Sequence, residues 1–341
     1  MPEAITDIPL GLFPSLAAEF GLRAFAADQL IEWLYRTRVA SFDEMTNISK
    51  AVRSALKERF VMDALEIAGT QEASDGTRKF LCRAKDGRAV ECVYMPTGAG
   101  RTTVCVSTQV GCAMGCSFCR TAGMGFVRDL TQGEILGQLT LMMRAHPDPV
   151  TNVVLMGMGE PLANLDAVSS AVEVMLDGRA FGFSKRRLTL STAGLLPQLE
   201  KFAEKFDIKI AISLNATTDE ARSQLMPINR RYPIAEIMES CRKYSERSRH
   251  RITFEYVLIG GLNDTDGDAA RLVELLKGIS AKVNLIPFNP FEGSGLKAPE
   301  EGTSERWSDF LRSRGVQANV RISRGQEILA ACGQLATSFG A

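Results

Sequence analysis

Apolar residues recur at helical spacing through roughly the first sixty positions, and the period then drops to two. Between about 12 and 60, Leu30, Trp33 and Leu34 form one stripe and Ala51, Ala55, Leu56 and Phe60 another, which predicts short helices in a small unit. At that spacing Trp33 and Tyr35 read as packing residues rather than as platforms for stacked bases. From about 77, the alternating segments 78–84 and 89–95 flank Lys85-Asp86-Gly87-Arg88, whose Asp-Gly pair signals a hairpin.

Beyond the hairpin, β-branched apolar runs at 102–108, 152–156, 187–191, 208–213, 252–258 and 282–287 alternate with helical stretches. Thr131 and Glu134 make a capping box at the start of the first of those helices. The alternation predicts an α/β fold, a partial (β/α)6 barrel of parallel strands. Its expected divisions are a helical accessory domain at 1–75, a β-hairpin adaptor at 76–101, and the barrel with a C-terminal extension at 102–341. Functional residues of such barrels collect at the carboxyl ends of the strands. Here Gly157-Met-Gly-Glu-Pro follows the second run, Ser191-Thr192 the third, Ser213-Leu-Asn215 the fourth and Asn289-Pro-Phe the sixth, which describes a ligand site.

A chain of 341 residues with 45% apolar and 23% charged residues can bury a full core and has an ordinary soluble composition. No apolar run of about 18 residues and no secretory leader is visible, so the expectation is a cytoplasmic protein without membrane contact. A formal net charge of zero argues against nonspecific coating of nucleic acid. Local basic groups at Lys185–Arg187, at Arg230–Arg231 and at Arg247, Arg249 and Arg251 read as solvated faces that are still able to meet phosphates.

The cysteines change the picture most. Four of the eight, Cys105, Cys112, Cys116 and Cys119, fall within fifteen residues, which in a reducing compartment points to metal or catalysis. In VGCAMGCSFCRTAGMGF, three closely spaced thiolates suit three irons of a cubic four-iron, four-sulfur cluster and leave the fourth iron open. The small Ala113, Gly115 and Ser117 let the loop close around it. Zinc is the less well served alternative, because neither His146 nor His250 is spaced to complete a tetrahedron, and disulfides within so short a run would be strained. On spacing alone Cys105 and Cys332 are buried packing thiols, Glu91 is a solvent-facing carboxylate, and Cys82, Cys92 and Cys241 are structural.

The triplet, with Phe118 just before its last cysteine, resembles the signature of radical S-adenosylmethionine (SAM) enzymes. The further motifs ECVYMP, GMGEPL, STAG, SLNATTDEAR, PIN, LIPFNPF and AACGQL extend the resemblance, from about residue 15 to the end, to the RlmN/Cfr family of RNA methyltransferases. That resemblance implies a radical SAM barrel with one 4Fe-4S cluster on Cys112, Cys116 and Cys119. It implies SAM contacts from Gly159, Glu160, Ser191, Ser213, Leu214, Asn215 and Asn289, although many relatives carry His where this chain has Asn215. Cys332 matches the cysteine that carries a methyl group, Cys105 its resolving partner, and Glu91 the carboxylate base.

Carbon 2 of adenine is electron-poor and cannot attack SAM directly. The implied workaround consumes two SAM molecules per methylation, one to methylate Cys332 and one to make a radical of that methyl group. The implied substrates are 23S ribosomal RNA and the tRNA anticodon loop, with a reductant protein such as flavodoxin or ferredoxin as partner and a monomer as the working unit. The alternatives are carbon-8 methylation, as in the Cfr branch, and a noncatalytic RNA-binding protein stabilised by a metal.

Overall fold

Ten strands join one sheet in the order in which they occur along the chain. They are β1 (Leu65–Glu72), β2 (Arg78–Ala84), β3 (Ala89–Pro96), β4 (Thr102–Cys105), β5 (Asn152–Leu155), β6 (Leu188–Thr192), β7 (Lys209–Ser213), β8 (Ile252–Leu258), β9 (Ala281–Pro287) and β10 (Gln317–Val320). The coordinates are a computed structural model that describes residues 2–98, 100–146, 148–321 and 323–337. Strands β1 to β4 are antiparallel neighbours, and from β4 to β10 every pairing is parallel. Parallel neighbours need crossovers, and each gap holds at least one helix, beginning with Gln132–Ala145 and ending with Thr303–Ser313. The Thr131–Glu134 capping box forms, with both reciprocal hydrogen bonds in place.

All six anticipated parallel strands are present, and Asp86-Gly87 closes the β2–β3 hairpin with Gly87 at φ 82°. Two strands of this sheet were not foreseen. β10 reads Gln-Ala-Asn-Val and carries no apolar run, while a register shift between Ile67 and Gly69 breaks the alternation of β1. Ahead of β1, the helical segments Phe13–Glu19, Ala26–Ile31, Glu32–Thr37 and Lys50–Arg59 bury Leu30, Leu34, Tyr35 and Leu56 among others, whereas Ala51 faces solvent. Trp33 is half-buried and donates its indole N–H to Asn47. This unit docks on helix Gln132–Ala145, where Gly133 N–H donates to Asp7 at 2.7 Å and Arg144 clasps Asp63 at 2.7 and 2.9 Å.

The sheet is curved, and chain length proves it. Laid flat, β10 and β3 would stand seven strand spacings apart, roughly 34 Å. Four residues after β10, however, Arg324 donates to the Pro96 carbonyl at the end of β3 at 2.7 Å, and four residues span at most about 14 Å. The segment after β10 therefore bridges the gap between the two edges of a partial barrel, meeting β3 first beside Thr102 at the start of β4 and then, through Gln326 and Gly333, reaching the mouth. Among the described residues, no helix is long and apolar enough to cross a membrane.

Candidate active site at the open end of the barrel

The three clustered cysteines sit on a loop that leaves the sheet after β4. Gln109–Gly111 pairs with Phe126–Asp129 as a small separate hairpin, and Cys112 N–H donates to the Gly125 carbonyl at 2.9 Å. A Cβ at Gly111 would lie 1.8 Å from that carbonyl oxygen, and its φ is +77°, so only glycine closes the loop here. Cys112 is buried and Cys116 and Cys119 are half-buried. Burial pushes the Cys112 thiol up to about 11 and raises Cys116 further, with the Glu160 carboxylate and the neighbouring thiols adding to both. A metal is held by the thiolate form, so a cluster bound here would displace these protons. Among the described residues, no three His, Cys, Asp or Glu side chains are grouped so as to hold a single metal ion.

Arg222 lies beneath this loop, fully buried and facing Cys116. Its guanidinium donates to the carbonyls of Ala193, Ser213, Leu214 and Tyr232 and to Asn229 Oδ1, at 2.8 to 3.4 Å. It thereby ties the ends of β6 and β7 to helix Asp219–Leu225, whose Leu225 carbonyl accepts from Ser117 in the cysteine loop at 3.0 Å. Burial without a bonded carboxylate lowers its pKa to about 10.

Glu160 follows β5 and is 4% exposed. Its carboxylate accepts from Ala193 N–H at 2.7 Å and from Leu162 N–H at 3.1 Å, while its own N–H donates to Gln109 at 2.8 Å. Burial pushes the carboxyl up to about 7. Gly159 approaches so closely that a Cβ there would lie 2.6 Å from Gln109 Cβ. Across the mouth, Asn289 accepts from Gln326 at 2.7 Å, and its Nδ2 is buried without a partner among the described residues. A buried carboxylate and an orphaned amide donor on facing strand ends fit a ligand carrying both an ammonium and an acceptor, as SAM does.

Ser191 and Ser213, half-buried at the ends of β6 and β7, join this set. Leu214 and Asn215 do not offer side chains to it. The Leu214 side chain is core, and Asn215, at φ 57°, accepts from Val257 N–H at 2.8 Å and donates to the Met226 sulfur at 3.2 Å.

Cys332 enters from the segment that closes the mouth. Its thiol is reachable by solvent yet densely surrounded; that crowding, followed by the Glu255 carboxylate, raises its pKa. It stands near enough to both Cys105 and Cys119 to shift or feel their charge. Cys105 is 8% exposed, and burial, then Cys332, pushes its thiol up to about 12. Glu91 is not the solvent-facing carboxylate of the alternation pattern: it is wholly buried, 3.3 Å from Lys79 Nζ, and accepts from Ala336 N–H at 2.9 Å. Cys82 and Cys92 meet at 3.5 Å with both side chains buried, and Cys241 is buried as well.

Sequence reasoning assigned no role to Gln109, Lys79, Arg222 or Gln326. Lys79 carried a usable signal, because it shares a face with Leu81, Val93 and Cys105, and the other buried charge on that face is Glu91.

Comparison with known proteins bears directly on this constellation. Residues 106–273 match the Radical SAM superfamily profile, and residues 10–62 match the profile described as the ribosomal RNA large subunit methyltransferase N-terminal domain. The dual-specificity RNA methyltransferase RlmN of Desulfosudis oleivorans is 47% identical over 99% of this chain and 92% of its own length. The chain belongs to the RlmN family. An RlmN of Syntrophotalea carbinolica is 48% identical over 93% of this chain and 85% of its own length. A crystal structure of a radical SAM methyltransferase from Sphaerobacter thermophilus superimposes with a TM-score of 0.94 at 42% identity, covering 99% of this chain and 100% of that one. The fold is thus the radical SAM partial barrel, and the cofactors of an RlmN family member are a 4Fe-4S cluster and SAM.

Proposed function

We propose that this enzyme methylates carbon 2 of an adenosine in 23S ribosomal RNA and of an adenosine in the tRNA anticodon loop, through a methylated Cys332. The observation that carries the proposal is that Cys332, an exposed residue, lies within electrostatic reach of both Cys105 and Cys119. The relatives named as dual-specificity RNA methyltransferases support the substrate class.

When bound, the cluster and SAM supply an electron and a carbon radical able to remove hydrogen from a methyl group. Cys112, Cys116 and Cys119 would hold the cluster. Glu160, Asn289, Gly159, Ser191 and Ser213 would orient SAM, with Glu160 accepting from its ammonium. The Cys332 thiolate accepts a methyl group by displacement and later holds the adenine through the resulting methylene. Glu91 takes the proton that leaves the ring carbon, and the unpaired electron of the adduct would return to the cluster. The Cys105 thiolate then attacks the Cys332 sulfur; the sulfur–carbon bond breaks, its electron pair stays with the methylene, and protonation completes the methyl group.

Among the basic groups, Lys185–Arg187 and Arg251 precede β6 and β8 and so lie at the end remote from the site. Arg230 and Arg231 instead line a cleft of about 330 Å³ with Ala113 and Met114 of the cysteine loop. RNA held there by its phosphates would present a splayed base to the mouth. The remaining assignments are a flavodoxin- or ferredoxin-type reductant, a cytoplasmic monomer, and residues 1–75, 76–101 and 102–341 as accessory unit, adaptor and catalytic barrel.

Mass spectrometry of RNA from cells lacking the gene tests the reading. Loss of 2-methyladenosine from ribosomal and transfer RNA supports it, and unchanged 2-methyladenosine with no second gene copy sinks it. Cys105→Ala should accumulate protein covalently bound to RNA.

A further inference from the structure

Lys79 and Glu91 are diagonal neighbours on adjacent strands. Lys79 is in register with Val93 and Leu81 with Glu91, so both charged side chains point to the face that also carries Cys105, itself in register with Val93. They are 2% and 0% exposed and stand 3.3 Å apart. A single ammonium or carboxylate in such a place costs several kcal/mol unless it is paired, and breaking a pair leaves the survivor uncompensated. The strand would fold more easily with an apolar residue at 79. A charge is retained where nothing in the packing asks for one.

The two Glu91 oxygens have different partners. Oε2 accepts from Ala336 N–H at 2.9 Å, four residues past Cys332. Oε1 faces Lys79 and makes no hydrogen bond among the described residues. The Glu91 carbonyl accepts from Ser107 Oγ at 2.5 Å, which fixes the backbone beneath the side chain. The charged and titratable groups around the carboxylate are Lys79 from β2, Arg120 from the helix after Cys119, and the thiols of Cys92 and Cys105 from β3 and β4. Burial raises the Glu91 pKa, and the first force opposing it is the Lys79 charge. A carboxyl that loses this partner becomes neutral and can no longer receive a proton.

We propose that Lys79 is a positioning residue that holds Glu91 as an anion and, through the Glu91 carboxylate, docks the segment carrying Cys332. This rests on the reading of Glu91 as the base that takes the ring proton. Lys79 touches neither RNA nor SAM in this role; it acts through Glu91.

Infrared difference spectra of cluster-free protein, wild type against Glu91→Gln, read the Glu91 protonation state without any turnover. The wild type should show a carboxylate band at pH 7, Lys79→Met should show a protonated carboxyl band at the same pH, and Lys79→Arg should restore the carboxylate. In the reconstituted enzyme, Lys79→Met should move the pH profile for resolving the RNA–Cys332 adduct upward by about two units, the shift needed to turn a carboxylate into a protonated carboxyl at pH 7. Resolution at pH 7 would then slow about tenfold, with SAM cleavage unchanged. The double variant Lys79→Met/Glu91→Gln, which buries no charge, should fold and accumulate adduct at every pH. A protonated Glu91 in the wild type, or identical spectra for wild type and Lys79→Met, overturns the proposal. If the spectra shift as stated and the adduct profile does not move, Lys79 still holds Glu91 as an anion and the assignment of Glu91 as base falls instead.

Discussion

The residue after Cys119 is hydrogen-bonded to the residue after Cys332: Arg120 N–H donates to the Gly333 carbonyl at 2.8 Å. Gly333 has φ +79°, and a Cβ there would lie 3.1 Å from the Phe118 carbonyl, so the contact depends on glycine. Thr121 Oγ1 repeats the tie on the Leu335 carbonyl at 2.7 Å, and Ala336 N–H continues it to Glu91. The loop that would hold the cluster and the segment that carries Cys332 are thereby zipped together.

Thr121→Val keeps the shape of the side chain and removes its donor, leaving the buried Leu335 carbonyl without this partner. The expected cost is about 1–3 kcal/mol, concentrated in the closing segment rather than spread over the fold. Hydrogen exchange should rise in 333–337 and stay unchanged in β5 to β9. RNA methylation should fall about tenfold while SAM cleavage to 5′-deoxyadenosine persists. Equal loss of both activities would show that the tie holds the cluster loop rather than the Cys332 segment.

The thiols differ enough to be separated by alkylation. In cluster-free protein at pH 8, iodoacetamide should modify the exposed Cys332 well before the buried Cys105, Cys82, Cys92 and Cys241. The raised pKa values of Cys332, Cys105, Cys92 and Cys241 mean less thiolate at a given pH, so their rates should climb about tenfold per pH unit below each thiol's own pKa. For Cys105, held up to about 12, that climb should continue through the whole range in which the protein stays folded. Peptide mass spectrometry reads the order directly, and early labelling of Cys105 would contradict the burial described here.

Much of this site was legible beforehand because its chemistry is written in short spacings. Cys112, Cys116 and Cys119 announce themselves within eight residues, and Gly159-Glu160 stands at the end of a recognisable strand. What stayed hidden depends on register and distant chain crossings. Alternation put Glu91 in solvent because the pattern of β3 does not reveal that its second face is covered by the segment around Ala336, some 245 residues later. Asn215 looked like a ligand residue by position, and only its left-handed backbone and its bond to Val257 show that its amide is already engaged. The seventh parallel strand was invisible because its four residues gain their order from β9, not from their own composition.

Arg222→Met tests whether the strand ends depend on one buried cation. The substitution leaves the carbonyls of Ala193, Ser213 and Leu214 short of donors inside the protein. The expected loss is about 3–5 kcal/mol, read by urea unfolding of the cluster-free chain, with Arg222→Lys recovering only part because an ammonium cannot reach so many acceptors at once. A loss below about 1 kcal/mol would mean that water replaces the guanidinium and that the strand ends are self-supporting.

Charge reversal separates the basic groups by their place on the barrel. Arg230 and Arg231 are exposed beside the cysteine loop, whereas Lys185 and Arg186 precede β6 at the opposite end. If RNA approaches the mouth, Arg230→Glu/Arg231→Glu should weaken RNA binding by at least tenfold near physiological salt and lower the slope of log affinity against log salt by about one to two phosphate contacts. Lys185→Glu/Arg186→Glu should change neither quantity. Both pairs lie on the surface, so thermal unfolding should move little in either variant, which keeps a binding defect distinct from a folding defect. The decisive comparison is the salt slope: equal slopes for the two double variants would mean that the chain meets RNA over its whole basic surface, and the mouth would lose its claim to be where the substrate phosphates are held.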